Sequence, residues 1–163
     1  MAAGDPHESE ASLQHALDTA FRFLARRDRT VAEVRHRLEG AEVDPAVVGR
    51  AIAVLTDHGY LDDARFARRF AEDRRSLDGW GSRRIEQRLL AAGVDRELAA
   101  DAARRAPDAE LQGAIEVLRR RVSRVPSDNR ERDRALGFLL RRGYEFELAC
   151  DAVRAHVHGR RAA

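Results

Sequence analysis

The sequence predicts an all-α protein: three tandem three-helix repeats forming an elongated, curved array. Three observations carry that prediction. Alanine, leucine, arginine and glutamate dominate while aromatics are 6% and prolines number four, and these abundant residues lose little side-chain freedom in a helix. Glycine or proline punctuates the chain at helix-length intervals, with no alternating apolar run between the stops. The chain also matches itself when shifted by about 50 residues, the mark of a repeated supersecondary unit.

The elements follow in order. A first helix is expected over 13–27, after an acidic segment, 1–11, expected to be disordered. "TVAE" at Thr30–Glu33 is a capping box: the hydroxyl accepts a free backbone N–H and the glutamate reaches back. It opens a helix over 31–39 that stops at Gly40. Asp44 as N-cap and Pro45 at the first helical position open 45–58, closed by Gly59. In "GYLDDARF", Asp62 caps a helix over 63–77 and Asp63 faces the positive end of its dipole, with Leu61 and Phe66 spaced as a hydrophobic staple. "GWG" at 79–81 ends it, and helices over 82–92 and 96–105 follow, broken by Gly93 and then Pro107. The last three are expected over 109–124, 128–142 and 146–157, with breaks at Pro126 and Gly143 and a frayed "HVHGRRAA" tail.

Shifts of 51 and then 50 residues superimpose "RLEGAEVDPAVVGRAI", "RLLAAGVDRELAADAA" and "FLLRRGYEFELACDAV". Leu38, Leu89 and Leu139 coincide; so do Val34, Ile85 and Ala135, then Val47, Leu98 and Leu148, and Ala51, Ala102 and Ala152. The acidic helix starts Asp44, Asp95 and Glu145 also align. Repeats of 12–61, 62–106 and 107–163 are expected. Cys150 falls opposite Gly49 and Ala100, so it reads as a small residue in a close helix contact.

Composition narrows the function. A single cysteine forbids an internal disulfide and suits a reducing compartment. No apolar run approaches the ~20 residues of a membrane span, and the acidic start lacks a signal peptide's apolar centre; a cytoplasmic protein is expected. The six histidines are scattered, without HExxH, CxxC or D-x-D spacing, so no metal or other cofactor is expected. The adjacent Asp62 and Asp63 could serve a magnesium-dependent nuclease; the recurrent helix-start chemistry makes them a cap instead.

All 30 basic residues are arginine, and the net charge is only +2. The excess lies in the second and third repeats. On the helix expected over 63–77, Phe66, Phe70 and Leu77 share one side, and Arg65, Arg68, Arg69 and Arg75 occupy another arc. On the next helix Ile85, Leu89 and Ala92 point inward while Arg83, Arg84 and Arg88 face away. Seven arginines on consecutive helices suit an anionic partner, a nucleic acid or an acidic protein surface. Trp80, alone of its kind and set in the turn between them, either folds back onto its own repeat or meets the partner. The candidate binding surface is therefore Arg65, Arg68, Arg69, Arg75, Trp80, Arg83, Arg84 and Arg88, with no catalytic residue among them.

"HGYLDDARFARRFAEDRR" running into "GWGSRRIEQRLLAAGVD" resembles the central signature of the RecX family, and "ARRDRTVAEVRHRL" is similar to its first-repeat pattern. The resemblance covers about residues 20–105 and continues in register through "LLRRGYEFELACDAV". It implies three tandem three-helix repeats without catalytic activity, modulating the RecA recombinase. By that resemblance the chain binds RecA and its filament on single-stranded DNA, lodges in the filament groove, and limits extension, ATP hydrolysis, strand exchange and LexA cleavage. The modest net charge and acidic head favour a mainly protein partner, direct DNA contact being secondary, and a monomeric chain. The rival reading is a sequence-independent nucleic-acid-binding module acting without RecA.

Overall fold

The structure, a computed structural model, describes residues 6–122 and 126–159. Among them every regular element is helical: α1 (Pro6–Leu24), α2 (Val31–Glu39), α3 (Pro45–Asp57), α4 (Asp63–Asp73), α5 (Ser82–Ala91), α6 (Arg96–Ala103), α7 (Pro107–Arg121), α8 (Asn129–Arg141) and α9 (Phe146–Gly159). A π-helical turn, Arg74–Asp78, prolongs α4. Helix α1 takes in residues 6–11, expected to be disordered, and residues 1–5 lie outside the described residues. Pro107, expected as a break, is instead the first residue of α7, a position where its missing N–H costs nothing. The end of the helix expected over 109–124 and the "HVHGRRAA" tail lie partly outside the described residues.

The predicted starts are present. Thr30 Oγ1 accepts the Glu33 N–H while a Glu33 carboxylate oxygen accepts the Thr30 N–H, closing the capping box. Asp44 accepts Ala46 N–H at 2.8 Å, Asp62 accepts Arg65 N–H at 2.8 Å, and Asp95 accepts Glu97 N–H at 2.8 Å. The superimposed leucines Leu38, Leu89 and Leu139 are all fully buried, as are Val34 and Ile85, and Ala135 is nearly so. The register therefore marks equivalent core positions. Gly49 corrects one expectation: it is exposed and nothing lies near its missing Cβ, so its small size is not demanded by a close contact like the one inferred for Cys150.

The chain divides into two compact units, and the division runs through the middle repeat. The first comprises the residues up to Ala67 with Leu90–Leu98. Its core gathers Leu13, Ala16, Val34, Leu38, Val48 and Leu55, with α3 packed on α1 and α2. The second comprises Arg68–Leu89 with the residues from Ala99. There α9 packs on α7 and α8 around Leu118, Leu139, Tyr144 and Val153.

Each unit contains one junction between successive repeats, and the two junctions share a device. In the first, Asp63 Oδ1 from α4 accepts the Val31 N–H that opens α2, at 2.9 Å. In the second, Glu110 Oε1 from α7 accepts the Ser82 N–H that opens α5, at 2.7 Å. A carboxylate from the next repeat thus satisfies a helix-start donor of the preceding one. The carbonyls that end the later helix are met as well: Thr30 Oγ1 donates to Ala92 O at 2.7 Å, and Gly81 N–H donates to Arg142 O at 2.8 Å. Gly93 and Gly143 sit at these contacts with φ of 80° and 85°. A Cβ on Gly93 would overlap Ala32, and one on Gly143 would overlap the Arg84 backbone.

Burial raises the Asp63 pKa above its ordinary value, against the Val31 N–H bond that lowers it. A raised folded-state pKa means the stability it contributes is present below the ordinary carboxylate range and is lost as pH rises through the raised value. At neutral pH the charge sits at a cost. Asp63→Asn, which keeps the Oδ1 acceptor, is expected to be at least as stable as the parent at pH 7 and to remove the fall in stability that Asp63 imposes as pH rises through its raised pKa. Asp63→Ala should lose about 1–3 kcal/mol by orphaning the Val31 donor. Urea titrations at pH 4, 5 and 7 separate the two.

Candidate partner-binding surface

The turn after α4 organises this surface. α4 widens into its π-helical turn and closes on Gly79 in the left-handed region, which re-aims the residues after Asp73. Leu77, expected inward with Phe66 and Phe70, is 68% exposed as a result, because a π turn breaks the 100° periodicity on which that expectation rested. Arg75 turns the other way: its Nη2 donates to Ala103 O at 2.6 Å and Ala102 O at 3.3 Å, tying down the end of α6. Burial lowers the Arg75 pKa, partly offset by Glu110.

Trp80 is half-buried and surrounded by its own fold. Its ring lies edge-on to Phe70, centroids 6.2 Å apart. The Arg84 guanidinium sits 4.2 Å over it, and that of Arg74 sits 5.6 Å away. Arg74 also pairs with Asp78 at 2.5 Å. Arg84 Nη1 continues to Arg141 O at 2.7 Å, and Arg142 Nε reaches Asp78 O at 3.3 Å. Of the two readings of Trp80, the geometry supplies contacts for the one that folds back.

Arg65 lies in the first unit, where its Nη2 donates to Gly59 O at 2.7 Å, so that it caps α3. Arg68, Arg69, Arg83 and Arg88 are exposed, all within the second unit. Arg83 stands 3.9 Å from Glu145, an exposed pair of little energetic weight. The structure thus gathers Trp80 with Arg84 and leaves four arginines facing solvent, while Arg65 and Arg75 serve helix ends. Sequence reasoning passed over Arg74 and Arg142. The i,i+4 spacing of Arg74 and Asp78 was the available signal for the first; nothing local marked the second.

Asp62 and Asp63 are both engaged as caps, and among the described residues no cluster of three or more histidine, cysteine or acidic side chains could hold a metal. No helix among the described residues is long and apolar enough to cross a membrane.

Tyr144, buried in the second core, has its pKa pushed up to about 12, by burial first and the Glu110 carboxylate second. Its contribution to stability is complete below the ordinary phenol pKa of 10 and is lost as pH rises through about 12. Tyr144→Phe should flatten the alkaline limb of a stability–pH curve between those values.

Comparison with known proteins places the fold and its repeats. Residues 16–55 match the model of the RecX first three-helix domain, and residues 62–102 match that of the second. Regulatory protein RecX of Chromohalobacter salexigens is 38% identical over 141 residues, covering 86% of this chain and 91% of that protein. Its counterpart in Deinococcus radiodurans is 35% identical over 153 residues, covering 91% and 72%. The crystal structure of RecX from Lactobacillus salivarius superimposes with a TM-score of 0.80 at 17% identity, over 90% of this chain and 97% of that one. The helical repeats, their register and these matches together establish that this chain belongs to the RecX family of regulatory proteins.

Proposed function

We propose that this chain is a non-catalytic regulator that binds the RecA recombinase and its filament on single-stranded DNA. Lodged in the filament groove, it limits extension, ATP hydrolysis, strand exchange and LexA cleavage, and so acts on DNA repair, recombination and the SOS response in the cytoplasm. Its membership of a family of regulatory proteins over most of its length carries the reading. Repeats of 12–61, 62–106 and 107–163 are the working units. A ligand that prefers one protomer geometry shifts a filament by its differential affinity, with no chemistry of its own.

The contact falls to the exposed arginines Arg68, Arg69, Arg83 and Arg88. Trp80, Arg75 and Arg84 position them, since each is held by contacts of its own fold. Arginine suits carboxylate partners by its planar fork. The test is charge reversal of those four exposed arginines together, leaving Arg65, Arg74, Arg75 and Arg84 in place so that their helix-end and Trp80 contacts survive. Inhibition of RecA ATP hydrolysis should weaken at least ~10-fold. Undiminished inhibition by a variant with unchanged circular dichroism overturns the reading. Tight binding to bare DNA that falls steeply with salt and ignores RecA would instead make the chain a nucleic-acid-binding module.

A further inference from the structure

A cleft of about 450 Å3 opens within the second unit, walled by Arg75, Arg105, Gly113, Glu116, Arg120 and Tyr144 among others. Four elements supply its donors. Arg75 comes from the π turn, Arg105 from the residues after α6, Arg120 from the last turn of α7 and Tyr144 from the approach to α9. On α7, Gly113, Glu116 and Arg120 share one face by their spacing.

Gly113 is where two of the donors meet. A Cβ there would lie 2.5 Å from Arg105 Nη1 and 3.8 Å from the Tyr144 oxygen, so glycine leaves room for both groups over α7. Tyr144 is 4% exposed, yet its hydroxyl forms no hydrogen bond with any described residue. Its pKa, pushed up to about 12, keeps the proton in place at neutral pH, so the hydroxyl is available as a donor. Arg105 and Arg120 are exposed and make neither a hydrogen bond nor an ion pair among the described residues. Arg75 gives Nη2 to the α6 carbonyls and pairs with no carboxylate among them. Burial lowers the Arg75 pKa, Glu110 opposes that, and the Arg105 charge adds to it. The two cations repel, and an anion held between them would relieve the repulsion.

The acids decide what kind of anion fits. Glu110 Oε1 is taken up by the Ser82 N–H. Glu72 and Glu116 line the cleft exposed, unpaired with these arginines. Their charges oppose a chain of phosphates, which would have to run beside them, more than a single group seated among the donors. Donors arriving from four elements match the three terminal oxygens of a tetrahedral phosphate, whereas a planar carboxylate can use fewer of them. We infer that this cleft binds the phosphate group of a small molecule, with Arg105, Arg120 and the Tyr144 hydroxyl as donors and Arg75 as a fixed charge beside them. This stands apart from the RecA reading, since none of Arg68, Arg69, Arg83 and Arg88 lines the cleft.

Isothermal titration calorimetry of the full chain with inorganic phosphate, at constant ionic strength in chloride, should show saturable uptake of one phosphate per chain. Arg105→Ala and Tyr144→Phe should each weaken it about 10-fold, the scale of one hydrogen bond to a charged group. Gly113→Ala is the sharper variant. It changes no charge, and alanine is the better helix former, but its methyl takes the place of Arg105 Nη1. Uptake should fall by a similar factor while thermal stability holds. A single-stranded oligonucleotide at equal phosphate concentration should leave the uptake unchanged. The inference fails if no saturable uptake occurs, if Arg105→Ala or Gly113→Ala binds as the parent does, or if the oligonucleotide displaces the phosphate.

Discussion

Gly143→Ala is expected to lose about 2–5 kcal/mol of stability, the sum of two costs. A side chain in the left-handed region costs about 1–2 kcal/mol, and forcing the new Cβ into the Arg84 backbone adds roughly 1–3 kcal/mol as overpacking. Gly59→Ala is the internal control. Gly59 also has positive φ, 72°, but nothing lies within 4 Å of its missing Cβ. It should therefore show the first cost alone. Thermal or urea unfolding of the two variants side by side decides the matter. Equal losses would mean that the junction at Gly143 is loose and that the α8 end is not clamped on α5.

Thr30→Val is expected to lose roughly 2–4 kcal/mol. Thr30 is fully buried, and its hydroxyl serves two backbones: it accepts from Glu33 N–H at 3.1 Å and donates to Ala92 O at 2.7 Å. Removing an N-cap oxygen costs about 0.5–2 kcal/mol, and stranding a buried carbonyl costs about 1–3 kcal/mol more. Valine keeps the shape, so the loss reports the hydrogen bonds. Thr30→Ser restores the hydroxyl and should recover most of the loss. A serine variant as unstable as the valine one would shift the weight to the lost methyl group and contradict the capping account.

Much of the candidate surface was legible because it depends on local rules. Arg68, Arg69, Arg83 and Arg88 follow from helical periodicity, and all four are exposed. Arg75 and Leu77 were misplaced for one shared reason. A π turn costs a residue of phase, and its cause is not local: Gly79 closes it against Val117 of α7, Arg75 is drawn to the end of α6, and Trp80 is gripped by Arg74 and Arg84. Asp63 was read as a first-turn acid serving its own helix. Its Oδ1 instead serves Val31, 32 residues earlier in the chain, a partner that no spacing rule on α4 could nominate.

By itself the sequence determined the helices, their caps, the threefold register and the family, because each rests on interactions within a few residues or on repetition along the chain. Tertiary structure alone decided which carboxylate closes which helix, where the π turn points its side chains, and why glycine is demanded at 93 and 143. Those outcomes turn on backbones brought together from distant parts of the chain. The free energy at stake there is that of buried donors, acceptors and excluded volume, which exist only once the repeats are packed.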